Sequence, residues 1–64
     1  MDPTQNLLDL LCAMNRYHQS QGASRRTARY DTIEALTILT EWIEMGGDMP
    51  NLIIAREYLE NIPG

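Results

Sequence analysis

Apolar and small residues recur at three- and four-residue intervals most strongly from Asp31 to Met45, DTIEALTILTEWIEM. Wound at about 100° per residue, Ile33, Ala35, Leu36, Ile38, Leu39, Trp42, Ile43 and Met45 cover roughly two-thirds of a helical circumference. Glu34, Thr37, Glu41 and Glu44 fill the narrow remainder. An apolar arc this wide predicts a central helix covered on two sides. Its Ile33, Leu36 and Ile43 edge is expected to hold the monomer together, and the Ile38, Trp42 and Met45 edge lies about 100–150° away.

Upstream, Leu7, Leu10, Leu11, Met14 and Tyr17 recur with the same period, and Gln5, Asp9, Arg16 and Ser20 gather opposite them. Asp2-Pro3-Thr4-Gln5 supplies a cap, a proline suited to the first helical position and a capping-box partner. A first helix over about 3–19 follows, with Gly22 as its stop because glycine enters the left-handed region without steric cost. Ser20 to Arg29 holds no large apolar residue and reads as a flexible Arg-rich linker over about 20–29. Ser24, Thr27 and Asp31 compete to cap the second helix. Asp31 with Glu34 makes the better capping box and keeps the arginines out of the first turn, where the helix dipole disfavours cations. The second helix is therefore expected over about 31–45, the chain allowing one or two earlier turns.

Gly46-Gly47 ends that helix, and Pro50 lies in the first turn of a third over about 50–61, with Asp48 or Met49 as its cap. Leu52, Ala55, Tyr58, Leu59 and Ile62 form its stripe, and Pro63-Gly64 closes the chain. No alternating run is long enough for a strand, and no segment repeats. The fold class is all-α: one helical domain, 1–64, of three helices. The short Gly46–Met49 connection predicts that the second and third helices are neighbours and antiparallel, with the first covering another side of the second.

Composition turns this unit into an expected homodimer. A chain of 64 residues buries only about 60% of its unfolded surface, so small domains lean on disulfides, metals or partner chains. Cys12 is the single cysteine and no Cys/His set has metal-ligand spacing, which leaves association. The Ile38, Trp42 and Met45 edge, with Leu8, Cys12 and Ile53 outside their own stripes, is the expected interface, and two-fold symmetry the expected closure. An unpaired cysteine fits a reducing setting, and the chain shows no signal-peptide pattern, so a cytoplasmic location is expected. The longest unbroken apolar run, Leu10 to Met14, falls far short of the roughly 20 residues of a membrane span.

The net charge of −4 is unevenly spread. Residues 1–30 set Arg16, Arg25, Arg26 and Arg29 against Asp2 and Asp9, whereas residues 31–64 set seven acids against Arg56 alone. There is no lysine. All side-chain cations are therefore guanidinium forks, which suit carboxylate, phosphate or aromatic partners.

Catalytic chemistry finds no support in these residues. Cys12 and His18 are the nucleophile-and-base candidates, but six helical positions separate them by about 240° and roughly 9 Å. Glu34, Glu41 and Glu44 lie on the polar arc without a histidine, as a solvated face does. Gly46-Gly47-Asp48 is a helix stop followed by a cap candidate, with no lysine to cradle phosphate. The expectation is a protein that is not an enzyme and takes no cofactor or metal.

Two binding readings remain. A small acidic helical unit with surplus apolar surface, Trp42 on an edge and four methionines has the residue types enriched at interface centres. That favours protein–protein interaction, with the partner unidentified. By size and class, though by no shared motif, the chain looks like small accessory and inhibitory proteins of phages and bacteria, which implies a regulator or inhibitor of a partner protein. The alternative is a nucleic-acid-binding accessory protein using Arg25, Arg26 and Arg29 as phosphate or acidic-partner contacts. The acidic pI near 4.6 weighs against it.

Overall fold

In the computed structural model, residues 1–62 are described, and Pro63-Gly64, expected to close the chain, lies outside them. Three helices and no strand occur among the described residues: α1 is Pro3–Gln19, α2 Ala23–Glu44 and α3 Leu52–Glu60. The start of α1 follows its local chemistry. The Asp2 carboxylate accepts from the Thr4 and Gln5 backbone amides, and Pro3 occupies the first turn. Gly22, at φ 65°, makes the turn out of α1 and stands directly before α2.

α2 begins eight residues before Asp31, so residues 23–29, expected in a linker, are its first two turns. Gly22 gives it no side-chain cap and its first turn holds no acid. Packing wins over capping here. Ala28 is buried, because a side chain that small lets two helices approach closely, and Arg25 lies 4.3 Å above the Tyr17 ring of α1. Asp31 serves in the helix interior instead of capping it, pairing with Arg16 across the helix contact at 3.4 Å. The threonines of α2 bond their hydroxyls back to carbonyls of the preceding turn, Thr32 to Ala28 and Thr37 to Ile33 among them.

α1 and α2 form an antiparallel hairpin, with Asn6 near Ala35 at one end and Tyr17 under Arg25 at the other. The Asn6 side-chain amide donates to the Ala35 carbonyl at 2.9 Å in a part-buried position. The expected adjacency of the second and third helices is not what forms: α3 packs on α1 and not on α2. Its start is fixed by the Asn51 backbone amide donating to Thr4 Oγ1 at 2.9 Å. Asn51, rather than Asp48 or Met49, is the cap, accepting from the amides of Ile53 and Ile54. Thr4 meets Asn51 before α3 begins and Cys12 meets Tyr58 further on, so α3 runs alongside α1 in the same direction. The middle helix is thus α1 and not α2, whose wide apolar arc led to the expectation of a central position.

The core is thin. Among the described residues Leu10, Ala13, Ala28, Leu39 and Ala55 are buried hydrophobic residues, three of them alanines, and Pro50 is buried as well. Ala13 and Ala28 set the closeness of α1 and α2, so enlarging one should be costly. Ala28→Leu is expected to lose about 1–3 kcal/mol through overpacking, read as a lower urea midpoint at unchanged slope. An unchanged midpoint would show that α2 begins later than Ala28.

Candidate functional site

The Arg-rich stretch is ordered by the α1·α2 hairpin. Arg25, Arg26 and Arg29 line one open hollow with Tyr17 and Gly22. None of the three forms an ion pair among the described residues, where the pairs are Arg16 with Asp31 and Arg56 with Glu60. They stand at the helix end whose unsatisfied amides already carry partial positive charge.

The residues expected at an interface go to different places. Ile38, exposed at 41%, lies in a largely polar hollow with Asp9, Arg16, Asp31 and Glu34. Met45 and Ile53 are exposed, at 83% and 72%. Leu8 lines the groove against α3. Cys12 is exposed, with its thiol towards the Tyr58 hydroxyl of α3.

Trp42 is half-buried and occupied within its own chain. Its indole N–H donates to the Asp48 carbonyl at 2.9 Å, and its ring lies where a Cβ on residue 47 would stand. The end of α2 explains this arrangement. Gly46, at φ 87°, donates to the Ile43 carbonyl and Gly47 to the Trp42 carbonyl, the paired bonds of a Schellman motif. The motif folds the chain back so that the bare Gly47 backbone meets the ring.

The edge expected inside the monomer is instead outside. Ile33, Leu36 and Ile43 are exposed at 51%, 47% and 38%. Their spacing of three and seven keeps them on one side of α2. Met14 of α1 adjoins Ile33, with which it shares an apolar hollow together with Tyr17 and His18. The seam with α1 runs instead through Ala28 and Leu39, with Ala35 on the same side of α2. The signal that locates it is that small-residue line, since large side chains on both flanks leave the alanines as the one place for close approach.

His18 lies on the hollow shared with α2 and Cys12 on the side of α3, so the two do not converge. Among the described residues no group of three or more His, Cys, Asp or Glu is placed to hold a metal ion. Nor is any helix there long and apolar enough to cross a membrane. Comparison of the chain with protein-family models, curated proteins and solved structures found no match.

Two measurements check these environments. Gly47→Ala forces the Trp42 ring off the turn, with an expected loss of about 1–3 kcal/mol and a red shift of indole emission; unchanged emission would place the ring elsewhere. The Tyr58 phenol is raised above its ordinary pKa first by the Cys12 side chain and then by lost hydration. A raised phenol pKa favours the fold while the phenol is neutral. The stabilisation is therefore complete below the ordinary value of about 10 and disappears as pH rises through the folded-state value. Cys12→Ala should bring the Tyr58 titration, followed by NMR, back towards the ordinary value.

Proposed function

We propose that the protein is a non-enzymatic interaction unit that docks a protein chain on the Met14, Ile33, Leu36 and Ile43 face, and that it regulates or inhibits what it binds. The observation that carries this reading is the exposure of Ile33, Leu36 and Ile43 side by side on one helix. Isolated apolar residues are ordinary on a surface, but contiguous ones mark a contact. The face is bordered by Arg29 at the same hollow, so an apolar centre meets a polar rim. Met14 adds an unbranched thioether that adapts to irregular partners.

The experiment is site-specific photocrosslinking in the native host. A photoreactive residue at Leu36 is expected to capture a polypeptide, whereas one at the exposed Thr27 on the other side of α2 is not. Equal capture at both positions, or none at Leu36, would overturn the reading.

The open hollow lined by Arg25, Arg26 and Arg29, unpaired among the described residues, supports a second reading as a phosphate-binding surface for nucleic acid. A low-salt retardation assay tests it. A shift lost in the triple-alanine variant would favour it, and unchanged mobility would remove it.

A further inference from the structure

We infer that the occupant of the exposed α2 face is a second copy of the chain, docked antiparallel about a two-fold axis so that Arg26 of each copy meets Glu44 of the other. The inference rests on the reading of this face as a protein-docking surface and names its partner.

The geometry begins with spacing. Arg26 and Glu44 are 18 residues apart, five full turns at 3.6 residues each, so they point the same way about 27 Å apart along the axis. Ile33 and Thr37 fall in the same arc, with Arg29, Leu36 and Thr40 beside it, and all of these side chains are exposed. The stripe is thus basic at its start and acidic at its end, with Ile33, Thr37 and Thr40 between and Leu36 and Glu34 about 80° to either side.

Charge selects both the partner and the orientation. Neither the arginines at the start of α2 nor Glu34, Glu41 and Glu44 form ion pairs among the described residues. Arg25 and Arg26 in the first turn, and Glu41 and Glu44 in the last, also sit at the ends of α2 where the helix dipole is unfavourable to them. The first turn holds no acid and the last turn no base, so the dipole opposes the charges at both ends. Arg26 and Glu44, about 27 Å apart along the axis, cannot meet within one chain. A second α2 laid antiparallel supplies the missing complement at both ends and sets the dipoles head to tail. A parallel copy would place arginine on arginine.

The register follows from the symmetry. Arg26 and Glu44 are each nine positions from Ala35, so an axis passing level with Ala35 sets one against the other. The same axis brings Ile33 and Leu36 of both copies together at the centre. Two equivalent ion pairs on either side of the two Ile33 side chains make the self-complementary surface that a two-fold contact requires. The thin core gives such association a purpose, because a domain this small gains stability from a partner chain.

The test is sedimentation equilibrium of the purified full chain at low and high salt, with circular dichroism as the control for folding. Wild type is expected to be a dimer that weakens as salt rises. Arg26→Glu or Glu44→Arg alone should each raise the dissociation constant about tenfold, because one reversal acts at two equivalent places. An equimolar mixture of the two single variants should restore wild-type affinity as a heterodimer, since both contacts across the axis then join opposite charges again. The Arg26→Glu/Glu44→Arg double variant should recover it as a homodimer. Ile33→Asp should abolish the dimer and keep the helix content. A wild type that is monomeric throughout, or a dimer indifferent to both reversals, would overturn the inference. If the chain is monomeric while Leu36 still captures a different protein in the host, the second-copy inference falls and the docking reading stands. Monomer together with no capture removes both.

Discussion

Close approach of α1 to α2 at Ala13 and Ala28 is the constraint from which the rest of this structure follows. A seam lined by alanines brings helix backbones together but leaves little room for large side chains between them. Only Leu10 and Leu39 among the large apolar residues described are buried, and Ile33, Leu36, Ile38 and Ile43 of α2 and Met14 of α1 are displaced to the flanks. The same closeness decides which helix lies in the middle. With one side of α1 taken by α2, its Leu8, Cys12 and Asn15 side remains for α3, and Thr4 holds the start of α3 through Asn51.

Electrostatics works against α2 at both of its ends, and its length is sustained by contacts in its body. Ala28 in the seam, Arg25 over Tyr17 and Asp31 against Arg16 outweigh the missing cap and the arginines in the first turns. At the other end, the two-glycine turn and the Trp42 ring packed on Gly47 set where the chain departs for α3. Trp42 is thereby a residue of the turn. The largest side chain of the molecule is held by a backbone it can lie flat against.

The two sides of the α1·α2 hairpin consequently differ in chemistry. One carries Asp9, Arg16, Asp31 and Glu34 around Ile38, so its apolar content is diluted by charge. The other joins Met14 to Ile33, with Leu36 and Ile43 continuing along the helix. This asymmetry supports the proposed docking face. It also explains why hydrophobic patterning alone assigns the faces differently, since both edges of α2 are equally apolar in sequence.

Local signals fixed the helical class, the bounds of α1 and the glycine turns. Asp2, Pro3, Gly22 and Gly46 act through their own backbone geometry and nearest amides, so their consequences can be read without knowing what packs where. The early start of α2 and the Asn51 cap were decided by tertiary contacts: Ala28 against α1, and Thr4 reaching Asn51 from 47 positions away. The candidate face divides in the same way. Its residues are visible as apolar positions at helical spacing, but periodicity gives an arc and not the direction of the neighbour. Only the packed structure shows that the neighbour sits on the alanine line, which turns Ile33, Leu36 and Ile43 outward and Trp42 onto its own turn, because a helix packs most closely where its side chains are smallest.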